Sequence, residues 1–360
     1  MRERFIIFVT NSLWDEPHRG RHHYANLLAD DNTVLWVNRR LPRNSDSGKM
    51  GLEHRERGLH VLHTGRSPLP KRVDHILNWN NRVRLNMLSG ALAEIGRDPE
   101  VLWVYDYRAL AFARRYRQSC RTLYFCNDYF GESAYRRYES RLSTAVDCVL
   151  CTAPKLQERL KVFNSNCHFV PHGVWLPEQV PEFNKKPAAE TAGYVGTYRQ
   201  VIDAAFFRRV LENTDMRLIL GGPVTECTPG YREEFERIFA HPRSNYLGNL
   251  DRQQAAQALA ETDICLLPYI CSRETEHQFT IKYFEYLAAG KPIVATPYFE
   301  WPEPYGRFVR ICGEGGSLRD IFEDVYAHWN REHYDAARAL AADSTWHKRV
   351  EQVSRIIGVG

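Results

Sequence analysis

The chain has 360 residues, 44% of them hydrophobic, and 48 Lys and Arg against 44 Asp and Glu give a net charge of +4. That length leaves room for two domains of ordinary size, and no apolar run approaches the roughly 20 residues that span a bilayer. The net charge alone is too small to imply a nucleic-acid partner, and nothing in the chain resembles an RNA- or DNA-reading motif.

The charge is uneven: residues 1–180 hold 27 basic and 19 acidic side chains, and residues 181–360 hold 21 and 25. A basic first half suits an anionic membrane surface or a pyrophosphate-linked acceptor as well as an ordinary solvated surface. The nine scattered cysteines, with no secretion signal, predict reduced thiols in a cytoplasmic compartment.

Phe5 to Val9 reads as a buried strand, and its apolar run is too short for a secretory signal. The loop after it enters a helix, and TVLWVN supplies a second strand, a Rossmann-like opening that lacks G-x-G-x-x-G. Gly20 and Arg21 fall near the start of that helix, where they can approach a phosphate. His22 and His23 fit surface or capping roles better than catalysis.

Residues 42–70 read as a polar loop with one strand, GLHVLH. The segment from Lys71 to Gly96 reads as a helix whose Lys71, Arg72, Arg82 and Arg84 supply surface charge, as on any exposed domain helix or one that lies on a membrane surface. Val101–Tyr105 is a strand ending in Asp106, a second basic helix follows, and Leu123–Phe130 runs from strand into loop through Asp128, with Glu132 close behind. Cys148 and Cys151 have C-x-x-C spacing but lie within a strand-like run and lack a second pair, so they read as core.

LPEQVPEFNKKPAAETA, rich in Pro and charge, is a linker. A second Rossmann-like unit begins at Ala192–Thr197, whose Gly193 and Gly196 let the backbone approach a phosphate and whose Arg199 follows to neutralise it. In the stretch from Glu276 to Glu300, Thr280 caps a helix that starts at Ile281, and Lys282 stands just inside its N-terminus, an arrangement that suits an anion. Glu285, one turn on, shares the face of Lys282. Gly290 takes the left-handed C′ position and Pro292 stops the helix.

Lys282 followed by EYLAAGKPIVAT (Glu285–Thr296) resembles the nucleotide-binding signature of GT-B glycosyltransferases, bacterial transferases of surface-polysaccharide and teichuronic-acid assembly among them. The resemblance covers most of the chain, with its specific motifs in 193–197 and 276–296. It implies an α/β fold of GT-B architecture, two Rossmann-like domains facing a cleft: an acceptor-side domain over 1–180, a nucleotide-sugar-binding domain over 181–342, and a helix over 343–360 crossing back to the first. It further implies a sugar donor, UDP first, whose diphosphate meets Lys282 and Arg199, whose ribose meets Glu285 and whose base is read by main-chain groups around Leu247. Gly196, Thr197, His277, Thr280 and Ile281 complete the donor set.

Many retaining members of that family carry a Glu where this chain has His277, so the resemblance does not carry a retaining outcome. If the transfer inverts, a carboxylate must take the acceptor proton, and Asp128 is the first candidate, with Asp106 and Glu132 behind it. No D-x-D string is present, which points away from a metal-dependent GT-A mechanism; the expectation is no metal and no cofactor, with the nucleotide sugar as co-substrate and a saccharide or lipid-linked acceptor. Two rivals remain: an epimerase on the same fold, and a catalytically silent nucleotide-sugar-binding subunit.

Overall fold

The protein is described here from a computed structural model covering residues 1–67, 74–131, 133–179, 182–225, 227–313 and 315–358. The chain divides into two compact units, Met1–Pro171 with Trp346–Gly360, and His172–Thr345.

The strands of the first unit are β1 (Phe5–Val9), β2 (Thr33–Val37), β3 (Met50–His54), β4 (Leu59–Thr64), β5 (Val101–Val104), β6 (Arg121–Cys126), β7 (Cys148–Cys151) and β8 (Cys167–Phe169). They form one sheet in the order β3-β4-β2-β1-β5-β6-β7-β8, and every pairing except β3 with β4 is parallel. Strands β1, β5 and β7 are buried along their whole length. Continuous apolar runs such as FIIFV and VLWV fit that environment, since a parallel sheet is covered on both faces. Cys148 and Cys151 lie within this core.

Strand β3 went unread in the sequence because MGLEH is largely exposed and exists through its antiparallel pairing to β4. The helix expected from Lys71 is described from Asp74 to Ile95, and Lys71 and Arg72 lie outside the described residues. Arg84 corrects the reading of that helix as a charged surface: its side chain is buried and paired. At the other end of the unit, the helix Trp346–Ile356 packs against the helix Gly20–Ala29, with Trp346 5.6 Å from Tyr24 and 4.8 Å from His23, ring to ring.

The second unit repeats the scheme with β9 (Thr191–Val195), β10 (Arg217–Gly221), β11 (Ser244–Tyr246), β12 (Ile264–Leu267), β13 (Ile293–Ala295) and β14 (Val309–Ile311), in the order β11-β10-β9-β12-β13-β14 and parallel throughout. In each sheet the strand order reverses direction at one place, between β1 and β5 in the first and between β9 and β12 in the second. Open α/β sheets bind ligands beyond the carboxyl ends of the strands at such a reversal.

Candidate functional site

Two segments leave the carboxyl ends of β9 and β12: the turn Gly196–Arg199, and a longer loop that ends in the helix Ile281–Ala288. Thr280 is the N-cap of that helix, and its hydroxyl accepts from the Lys282 amide at 3.4 Å. The same hydroxyl lies 2.9 Å from the Tyr269 hydroxyl, which ties the start of the helix to the segment just beyond β12. The helix ends as its sequence requires: Gly290 has φ +68°, its N–H donates to Leu287 O at 2.9 Å, and the Lys291 N–H donates to Tyr286 O at 3.0 Å.

The register turns Tyr283, Phe284, Tyr286 and Leu287 into the core, each worth roughly 1.5–3 kcal/mol of burial. Phe279, Phe299 and Trp301 add rings beneath the helix, and the Tyr283 hydroxyl donates to Tyr305 O at 2.9 Å. This aromatic seat holds the helix start in place.

Lys282 and Glu285 remain on the outward face, with Nζ 3.7 Å from Oε2. The lysine side chain runs back over the β9 turn, its Nζ 5.6 Å from the centre of the Tyr194 ring. It also passes across Gly196, where a Cβ would stand 1.9 Å from Lys282 Cε and 2.3 Å from Nζ. Gly196 is therefore needed for Lys282 to lie there, a cause that its reading as a phosphate-approach residue missed. Its carbonyl is also close to Gly222, which has φ +118° and whose added Cβ would come within 2.1 Å of Gly196 O.

The remaining donor candidates divide. Thr197 accepts the Tyr194 hydroxyl at its carbonyl, 3.2 Å, so its backbone is fixed beside Lys282. Arg199 is half-buried and its guanidinium has no partner among the described residues, while its carbonyl accepts the Tyr231 hydroxyl. Ile281 is half-buried in the first turn. The Leu247 N–H is taken by Leu220 O at 2.8 Å, which leaves its carbonyl as the main-chain group for a base. His277 sits in a short 3-10 turn with Nδ1 2.7 Å from Arg273 O.

The three acceptor-side carboxylates fare differently. Asp106 is buried between arginines, Oδ2 3.1 Å from Arg84 Nη1 and Oδ1 3.1 Å from Arg108 Nε. Arg84 also donates to Thr10 O at 2.9 Å. Burial alone would raise the Asp106 carboxyl, but Arg108 and Arg84 outweigh it and hold it below the ordinary aspartate value. As a candidate base Asp106 is thereby corrected: both of its oxygens are engaged in structure. Asp128 is exposed beyond β6, with no ion pair among the described residues. Glu132 lies outside the described residues.

His22 is fully buried, its Nδ1 accepting the Arg19 N–H at 3.0 Å and its Nε2 donating to Leu13 O at 3.1 Å. Those two bonds select one neutral tautomer, and desolvation pulls the ring down from 6.5 to about 4. It closes the first turn of its helix. Among the described residues no group of three or more His, Cys, Asp or Glu is placed to hold a metal, and no helix is long and apolar enough to cross a membrane.

A family model described as glycosyl transferases group 1 matches residues 189–309, which contain every donor candidate named above. The fold is that of the GT-B glycosyltransferases, with two Rossmann-like units. Sucrose-phosphate synthase (tll1590) from Thermosynechococcus elongatus superposes with a TM-score of 0.70 over 99% of this chain and 98% of that one, at 15% identity. Anabaena Alr3699/HepE, solved in complex with UDP, gives 0.65 over 99% and 100% at 13% identity.

In sequence the chain is 23% identical over 246 residues to TuaH of Bacillus subtilis (strain 168), whose name assigns it to teichuronic acid biosynthesis as a glycosyltransferase. That match takes in 64% of this chain and spans 61% of the length of the relative.

Proposed function

We propose that this protein transfers a sugar from a nucleoside-diphosphate donor, UDP first among them, to a hydroxyl of a saccharide or lipid-linked acceptor in bacterial surface-polysaccharide synthesis. The observation that carries the reading is Lys282, nested on Gly196 in the first turn of a helix at the β9/β12 reversal. A nucleoside diphosphate leaves only if charge developing on its phosphates is met by fixed positive groups. In this reading Lys282, Arg199 and the Ile281 amide meet that charge without a metal, and Glu285 accepts from ribose hydroxyls. UDP is favoured by the UDP-bound structural relative and by the family resemblance.

The transfer proceeds as a single displacement. The acceptor oxygen bonds to the anomeric carbon as the bond to the diphosphate oxygen breaks, the leaving diphosphate keeps the electron pair, and Asp128 takes the hydroxyl proton. Asp128 fits because its carboxylate is open where that of Asp106 is sealed.

The test is a donor panel of UDP, GDP, ADP and their sugars, followed by acceptor turnover and the Asp128→Asn variant. UDP binding is expected to raise the melting temperature, and Asp128→Asn to keep donor affinity while transfer falls roughly 10² to 10⁴-fold with inversion at the anomeric carbon. Consumption of donor without an acceptor would support an epimerase instead, and binding without turnover a silent subunit. A peripheral, cytoplasmic association with anionic membranes is part of the same proposal; it rests on the basic first half and is expected to weaken as salt rises.

A further inference from the structure

The edge of the first sheet brings two histidines face to face. His54 and His60 stand directly opposite each other on the antiparallel strands β3 and β4. In the next rung the Arg55 N–H donates to Leu59 O at 2.8 Å, so the histidine rung is of the non-hydrogen-bonded kind, in which side chains stand closer. The two Nδ1 atoms are 2.8 Å apart, and the ring planes meet at 88° with centroids 4.8 Å apart. On the far side of the His54 ring, Nε2 lies 3.1 Å from Oε1 of Glu94, in the last turn of the helix Asp74–Ile95. His54 and Glu94 are exposed and His60 is half-buried, so solvent reaches the pair.

That arrangement fixes the ring chemistry. The Glu94 carboxylate accepts from Nε2–H, so the His54 lone pair lies on Nδ1 and faces His60. A carboxylate behind the other ring nitrogen is the partner that orients a metal-ligating imidazole and raises its basicity. Imidazole nitrogens sit about 2.0–2.1 Å from an ion such as Zn²⁺, which sets two of them roughly 3.0–3.4 Å apart on the same ion. The His54 and His60 nitrogens reach that spacing if the rings part by a few tenths of an ångström. His63 makes the contrast: its Nε2 is 2.7 Å from Glu53, but its Nδ1 is met by the Asn38 amide at 3.2 Å and the ring is buried. Both of its nitrogens are engaged.

We propose that His54 and His60, with Glu94 as the orienting carboxylate, bind a divalent transition-metal ion of the Zn²⁺, Ni²⁺ or Cu²⁺ class, ions that imidazole suits. The ion takes one lone pair from each Nδ1, the His60 ring proton moves to Nε2, and water fills the remaining positions. The strand joined in this way is the edge of the sheet: β3 stands at the end of the strand order, is largely exposed and depends on its pairing to β4. Binding therefore staples β3 to the sheet, independently of the sugar transfer proposed above.

The test is a calorimetric titration of the full chain with nickel chloride, chosen because Ni²⁺ suits imidazole whereas thiolates such as the exposed Cys271 select softer ions. Glu94→Ala is expected to weaken Ni²⁺ roughly 10-fold, the low end for an orienting partner, and His54→Gln and His60→Gln by more, since each removes a ligand. Hydrogen exchange then reads the staple in the wild-type chain: the amides of Met50–His54 are expected to exchange more slowly with Ni²⁺ bound, as local opening of β3 becomes rarer. In His54→Gln the ion is expected to leave that exchange unchanged. Ni²⁺ affinity unaltered in folded His54→Gln and His60→Gln proteins overturns the proposal, and so does wild-type β3 exchange that is indifferent to the ion.

Discussion

Each unit reverses its strand order at one place and sets a cation there, yet the two treat those cations in opposite ways. In the first, Arg84 reaches the reversal and is locked to Asp106 with both side chains buried. In the second, Lys282 reaches the reversal at 3.7 Å from a half-open Glu285, steadied by a ring and a glycine. A sealed pair contributes rigidity, while a loosely paired cation beside helix amides stays available to a ligand. The topology thus says where a site can form, and the local pairing of charge says whether it is open.

Breaking the sealed pair should give the largest effect. Arg84→Met leaves the Asp106 carboxylate buried with one partner fewer, and removal of one member of a buried pair costs about 3–5 kcal/mol. Chemical denaturation should show that loss in Arg84→Met and much less of it in Arg84→Met/Asp106→Leu. Equal losses in the two proteins would mean that Arg84 acts through packing alone.

Acid should also distinguish the units, because the buried ionisable groups singled out above lie in the first. His22 binds its proton less readily folded than unfolded, so its contribution is complete above pH 6.5 and is lost as pH falls toward about 4. The size is about 3 kcal/mol. Asp106 is held below its ordinary value, so its contribution is present above that value and disappears only at lower pH still. Melting curves should fall between pH 6.5 and 4 in wild type and flatten there in His22→Asn, whose amide oxygen can replace Nδ1 as acceptor. A wild-type profile flat over that window contradicts the role given to His22.

Much of the open site was legible because its determinants are local. Thr280, Lys282, Glu285 and Gly290 are related by one helix and its two ends, so spacing alone predicts a shared face and a left-handed stop. What stayed hidden is contact across the chain. Arg84 and Asp106 belong to different elements, and a run holding Arg84 among apolar residues looks like an ordinary charged helix until the fold turns it inward. Gly196 and Lys282 are likewise far apart in sequence, so the glycine could be read only as a place where the backbone approaches a phosphate. Strand β3 has too few apolar side chains to announce itself.

A smaller effect probes the outward face. Glu285→Gln should weaken nucleotide binding modestly, and the penalty should shrink for a 2′-deoxyribose analogue if the carboxylate accepts from ribose hydroxyls. Equal penalties for both ligands would assign Glu285 to its contact with Lys282 instead.

The central claim is that the second unit holds a diphosphate through Lys282, and nucleotide affinity of a folded Lys282→Ala protein tests it most directly. Loss of one charge-assisted contact should weaken UDP by about 1.5–3 kcal/mol, with the denaturation midpoint in the absence of ligand close to that of wild type. An unchanged UDP dissociation constant in the folded variant would contradict the account.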